Sequence, residues 1–384
     1  MKKILSILIV LVTVFIIQGC TRPQEQESPT DNLTERITEQ TGTETQTTDT
    51  DAPQGSGDQR FNVMTHEHGY LGVQWLQHMN DYLPRRLAFS DRELETAEWI
   101  VSTLIGMGFD EDQVDIQTFS MDAETSSWWG EAKWMIEWFE SMGYYEGLEL
   151  LEYSQNIILT LPGQSEQTII IGAHYDGMNN PGVSDNASGT VLLLENAYRM
   201  QQIDHYYTLQ YVFFGAEEVG LIGSFYFADN MTQEEIDNLV MVINADVIMD
   251  GPELVYAIGY IEALPLSPID ILWETPGISQ NALTEQVDEI AIQLNEQYNT
   301  EFISKPHGIT LASDHLAFVP FGIPVMVFYA THPVEYPEMF SGDVLHSERD
   351  HLEYIMENHP GRIERALSAF GRFLEEIVSS EFVQ

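Results

Sequence analysis

Four short stretches of this chain are apolar at almost every position: Thr168–Gly172, Tyr207–Phe214, Leu239–Asn244 and Pro324–Tyr329. A strand with one wet face alternates apolar and polar residues, so an unbroken apolar run needs cover on both sides. Amphipathic segments of helical length lie between and after these runs, at Val191–Met200, Asn281–Tyr298 and Arg362–Val378. In the last of them Ile363, Ala366, Leu367, Phe370, Phe373, Leu374 and Ile377 share one face. The alternation predicts an α/β fold: a single domain on a twisted, mostly parallel mixed sheet with helices on both faces.

Tyr70–Leu83 is expected to be helical. Ser90-Asp91-Arg92-Glu93 has the form of a capping box, opening a helix whose apolar stripe includes Leu94, Ala97, Val101 and Leu104. Val114–Phe119 reads as a strand. Asn156–Leu161 and Thr168–Gly172 read as a hairpin across Pro162-Gly163. Trp128–Met142 crowds four tryptophans, a phenylalanine and two methionines into one short helix. It is expected to pack on the domain's flank, or to form an apolar wall beside a binding site.

Charge narrows the partners. Asp and Glu number 61 against 15 Lys and Arg, a formal net charge of -46. Such a surface repels nucleic acid, so none is expected as a partner. It suits an exterior where salt screens self-repulsion. Residues 1–19 combine Lys2 and Lys3 with an apolar run from Ile4 to Ile17, the pattern of a secretory leader. Ile17-Gln18-Gly19-Cys20 resembles a bacterial lipobox, which implies cleavage before Cys20 and lipidation of its sulfur. Residues 20–59 are rich in Thr, Gln and Glu and poor in apolar side chains, so they are expected to be a disordered linker. The folded domain is expected over 60–384, extracytoplasmic and tethered to a membrane. Cys20 is the chain's single cysteine, which excludes an intrachain disulfide.

The chemistry gathers at strand ends. His174 closes the first apolar run, with Asp176 just after it and Asp185 in the following loop. Glu217-Glu218 follows the second run, Asp246 the third, and His346 lies in the loop beyond the fourth. In an open α/β sheet these loops meet in the crevice beyond the strands' carboxyl ends. Two histidines and three carboxylates exceed the needs of one catalytic zinc. They suit two metals when one carboxylate is shared. Asp176 is placed to accept the second ring N–H of His174, fixing its tautomer.

These motifs resemble the co-catalytic two-zinc aminopeptidases, a family that includes bacterial leucine aminopeptidases and aminopeptidase Y. The matching residues are His174-Tyr175-Asp176, Ser184-Asp185-Asn186-Ala187-Ser188-Gly189, Glu217-Glu218, Asn244-Ala245-Asp246, Ser313-Asp314-His315 and His346. The resemblance implies two zinc ions per chain: His174 and Asp246 on one, Glu218 and His346 on the other, Asp185 bridging. It implies that Glu217 is the general base and that the substrate is a peptide with a free N-terminus. Three alternatives stay open: a two-metal deacylase or carboxypeptidase, a single-zinc glutaminyl cyclase, and a receptor-like domain without catalysis. His315 is expected to support structure rather than bind metal, Tyr329 to be a core residue, and His332, His351 and His359 to lie at the surface.

Overall fold

The computed structural model describes residues 61–127, 132–261, 278–305, 313–332 and 343–382. The expected leader and linker, and Trp128 and Trp129, lie outside these residues. The sheet has strands β1 (Val114–Ser120), β2 (Tyr153–Leu161), β3 (Thr168–His174), β4 (Thr208–Phe214), β5 (Leu239–Ala245), β6 (Glu253–Ile261), β7 (Ile278–Ser279), β8 (Ile303–Ser304) and β9 (Val325–Thr331). Their order is β1-β2-β4-β3-β5-β9-β6-β7, with β8 also paired to β6. The four central strands β4, β3, β5 and β9 run parallel, and antiparallel pairs complete both sides.

The apolar runs are covered on both faces, as their composition requires. Ile169, Ile171, Tyr211, Phe213, Met326 and Phe328 enter one core cluster. Ile170, Val212, Phe214, Val325 and Val327 enter the other. Neighbouring residues of a strand point to opposite faces, so each run feeds both clusters in turn. The first cluster is closed by α1 (Tyr70–Tyr82), α2 (Asp91–Met107), α4 (Ser188–Met200), α7 (Ala282–Tyr298) and α9 (Arg362–Ser379). The second is closed by α5 (Ile222–Asp229) and a 3-10 turn at Asp314–Phe321. Each large aliphatic or aromatic side chain withdrawn from water contributes about 1.5–3 kcal/mol. Short helices α6 (Gln233–Asn238) and α8 (Leu352–Asn358) complete the set with α3 (Ala132–Ser141), which buries Ala132, Met135, Ile136 and Phe139. Among the described residues no helix is long and apolar enough to cross a membrane.

Two expectations need correction, and one strand was not foreseen. β2 and β3 do not form a hairpin, because β4 lies between them and pairs with both. β4 is buried along most of its length and needs a neighbour on each edge, and the link through Pro162-Gly163 is long enough to step across it. β6 was not foreseen; it is antiparallel to β9 and carries that side of the sheet. The capping box on α2 is half formed: Ser90 accepts from Glu93 N at 3.2 Å, but the Glu93 carboxylate is turned elsewhere.

Candidate metal centre

Because β3, β4 and β5 are adjacent and parallel, their carboxyl ends emerge at one rim, with His174 paired to Phe214 in register. His174 Nε2 lies 3.2 Å from Asp185 Oδ1 and 3.2 Å from Asp246 Oδ1. His346 Nε2 lies 3.0 Å from Asp185 Oδ2 and 3.3 Å from Glu218 Oε2. The two oxygens of Asp185 therefore face one histidine each. Among the described residues, two groups have donor atoms mutually within 4.8 Å: His174, Glu217 and Asp246, and Asp185, Glu218 and His346. Every residue singled out in the sequence for this site is in one place.

The donor chemistry fits divalent cations of zinc-like character: imidazole nitrogens and carboxylate oxygens, with a carboxylate between the two groups. Glu218 Oε1 is buried and receives no hydrogen bond from the protein. A buried acceptor without a donor is costly, and a cation beside it would remove that cost. His346 sits at the mouth, with 36% of its side chain exposed, whereas the His174 side chain is 1% exposed.

Buried carboxylates hold the ligand loops through backbone amides. Asp176 accepts from Glu217 N at 3.0 Å and Glu218 N at 3.1 Å. Its Oδ1 and its carbonyl lie 3.4 and 3.3 Å from His174 Nδ1, so it orients the histidine and the Glu-Glu loop together. Asp350 accepts from Ser184 N at 2.6 Å and Asp185 N at 3.0 Å. Asp250 accepts from Val344 N at 2.9 Å and Leu345 N at 2.8 Å, beside His346. Glu93 accepts from Phe89 N, Ser154 Oγ and Ala216 N, fixing the residue before Glu217. Ser313 Oγ donates to Asp246 Oδ2 at 2.7 Å and accepts from Asn244 Nδ2 at 2.8 Å.

The loop that leads from His174 to Asp185 closes around a buried cation. Arg86 is 0% exposed and donates to the carbonyls of Leu83, Tyr175, Pro181 and Gly182. Backbone strain also collects here. Ala216, Val247 and His346 adopt φ of 56°, 47° and 51°, each at or next to a candidate ligand. Left-handed backbone is unfavourable for these residues, and for β-branched Val247 most of all.

The electrostatics follow from crowding. Burial pushes Glu217 well above the usual carboxylate range, with Glu218, Asp314 and Asp246 adding to it and His174 opposing. Burial and Asp185 raise Glu218 to about 7 against the pull of His346. Burial would raise Asp185, but hydrogen bonds from His174 and His346 hold it well below the ordinary range. Burial pulls both histidines down, yet Glu217 and Asp246 at His174, and Glu218 and Asp185 at His346, leave each well above an ordinary imidazole.

Asp250, Asp350, Glu93 and Arg86 were not foreseen as site residues, and Ser313, quoted within a matching motif, was given no role. Their partners are mostly backbone groups distant in sequence, which no motif records. Tyr329 is buried in the second core cluster, as expected. His332, His351 and His359 are half-buried rather than free at the surface. His332 and His359 face Asp343 at 2.6 and 3.5 Å, and His351 caps α8 by accepting from Tyr354 N. Asp250→Ala should release the His346 loop and weaken zinc binding ~10–100-fold by competition titration. Asp250→Asn keeps an acceptor oxygen and should lose far less.

Fold and donor groups together define an α/β protein with paired candidate metal positions at the carboxyl rim of its sheet. The chain belongs to peptidase family M28, whose sequence model matches residues 156–371, more than half of its length. Leucine aminopeptidase 1 of Blastomyces gilchristii is 29% identical over 219 residues, 53% of this chain and 52% of that protein. A probable lipoprotein aminopeptidase LpqL of Mycobacterium tuberculosis is 29% identical over 116 residues, 29% of this chain and 23% of that protein. The chain spans about half the length of the first of these relatives. A solved zinc aminopeptidase of Bacillus subtilis superposes with a TM-score of 0.58 at 18% identity, covering 82% of this chain and 96% of that one. A glutaminyl cyclase of an Acidobacteriales bacterium superposes at 0.55 and 18%, covering 85% and 98%. At these identities the superpositions speak for the fold alone.

Proposed function

We propose that this chain is a metalloaminopeptidase that removes N-terminal residues from peptides at a site holding two zinc ions. The observation that carries this reading is the placement of Asp185 between the two histidines, one oxygen toward each. His174 and Asp246 would hold one ion, Glu218 and His346 the other, with Asp185 shared. Bound there, the pair would supply a water of lowered pKa and polarise the scissile carbonyl. Glu217 is the carboxylate placed to accept a proton from the attacking water and to return it to the departing amine. Asp176 keeps Glu217 and Glu218 in register by holding both amides.

The leader pattern and the lipobox-like Cys20 support an extracytoplasmic protein tethered through lipid, and likeness to a probable lipoprotein aminopeptidase agrees with it. The fold would equally carry a single-zinc cyclase; two complete donor groups instead of one favour hydrolysis. The test uses protein lacking residues 1–59. It should bind about two zinc ions and hydrolyse aminoacyl anilides in a chelator-sensitive way. Preference for N-acylated peptides would point to a deacylase, and cyclisation of Gln-peptides with one zinc to a cyclase. Zinc-replete protein inert on all of these would overturn the reading.

A further inference from the structure

His346 reaches the candidate metal centre from a turn, whereas His174 closes a buried strand. Asp343 N donates to Asp250 O at 2.8 Å, just ahead of the Val344 and Leu345 amides that the Asp250 carboxylate holds. Behind the histidine, Ser347 donates its amide and its hydroxyl to Val344 O at 3.0 and 2.7 Å. His346 itself has a φ of 51° and a half-buried side chain. A left-handed residue with so little cover keeps its place only if the chain on either side of it is held.

On the leading side the hold is Asp343, whose carboxylate meets side chains from three elements. His332 Nε2, just past the end of β9, lies 2.6 Å from Oδ1. Arg362 Nη1, on the first residue of α9, lies 2.6 Å from Oδ2. His359 Nε2, at the C-cap of α8, lies 3.5 Å from the same oxygen. Arg362 N donates to His359 O at 3.1 Å, so these two approach as one unit. The Asp250 loop rests on the same base. Gly251 comes so near Thr331, the last residue of β9, that a Cβ on it would sit 2.1 Å from the Thr331 carbonyl carbon.

A lone surface ion pair contributes little, but a carboxylate shared by several fixed partners is a different case. Arginines and lysines are scarce here, 15 against 61 carboxylates, yet an arginine and two histidines gather on this one aspartate. Burial would raise the Asp343 carboxyl, but His332 and Arg362 beside it hold it below the usual range. Asp343 belongs to neither candidate donor group. Its influence on a cation therefore runs along the chain, through the Val344 and Leu345 amides to His346.

We propose that Asp343, clasped by His332, His359 and Arg362, is a positioning residue for His346: it fixes the turn that presents this imidazole to Asp185 and Glu218, and so sets the affinity of the more exposed metal position. The proposal rests on the metal positions of the reading above. Asp343→Asn keeps the side chain's size and removes its charge. In the chelator-treated full chain it should speed hydrogen exchange of the Val344 and Leu345 amides ~10-fold. The Ser184 and Asp185 amides, held by Asp350, should keep wild-type rates. In competition titration one of the two zinc steps should weaken ~10-fold and the other stay unchanged. Excess zinc should restore kcat on a leucine anilide, which separates positioning from catalysis. Arg362→Gln removes a partner from the other side and should act in the same way. Arg372→Gln breaks the pair with Glu67 on the same helix and should move neither exchange nor zinc. Unchanged exchange, or faster exchange with both zinc steps intact, overturns the proposal. If the wild type binds zinc but cleaves no anilide, while Asp343→Asn frees the turn and weakens one step, the positioning role stands and the aminopeptidase reading falls. If anilides are cleaved and Asp343→Asn matches wild type throughout, the reading survives and the positioning role falls.

Discussion

Glu217→Gln is expected to lower kcat on a leucine anilide by ~10²–10⁴-fold, the range for loss of a positioned general base. The amide is nearly isosteric with the carboxylate but cannot accept the water's proton. Both kcat and kcat/KM should fall by the same factor, because the lost interaction belongs to the transition state. The Glu217 amide bond to Asp176 does not depend on its side chain, so the loop should keep its form. The Glu217 carboxylate also lies within ligand distance of His174 and Asp246, so a metal-binding role must be separated from a proton-transfer role. Zinc content measures the difference. A variant that keeps its zinc and loses turnover has lost a base. A variant that loses zinc in proportion to activity would make Glu217 a ligand and leave the base unassigned.

The parts of this architecture legible in sequence share a physical cause. Ile169–Ile171 and Val325–Phe328 are apolar throughout because both faces of their strands are covered, and that composition survives without any knowledge of neighbours. The ligand types stand out because they follow those runs directly. The order of strands was less accessible. Pro162-Gly163 promises a turn, but only the requirements of β4 for two neighbours decide that β2 and β3 are kept apart. Least legible were the groups that position the ligands. Glu93 looks like half of a capping box, and its sequence neighbours say nothing of Ala216. Asp250 and Asp350 act on amides, which every residue has, so the sequence offers no complementary letter to find. Arg86 looks like a surface cation in an acidic chain, yet all its bonds go to carbonyls in the interior.

Zinc uptake is expected to displace protons, and to strengthen by about tenfold per pH unit for each proton displaced. In the metal-free protein the carboxylates around His174 and His346 outweigh burial and favour the protonated imidazoles, so protons compete with cations for the same nitrogens. Both must lose a proton to become ligands. The competition is strongest below the raised folded-state pKa values and fades as the pH passes through them, so affinity climbs with pH across neutrality. Stability moves the other way without metal. A histidine whose folded pKa is raised contributes stability at low pH that is lost as the pH rises through the folded value. Glu218 near 7 and Asp350 near 8, both raised by burial, act in the same direction, since the folded chain keeps protons that the unfolded chain has released above about 4. Asp185, depressed, loses its contribution only in strong acid and does not offset this. The Tm of chelator-treated protein should therefore drop between pH 6 and pH 9, while the gap between zinc-loaded and metal-free protein widens. Calorimetric titration in buffers of different ionisation enthalpy should count the protons released as the pair of sites fills: those of the two histidines and, below about pH 7, that of Glu218 as well. A gap that stays constant across that range, with no proton released, would mean that the histidines are not the groups that zinc displaces.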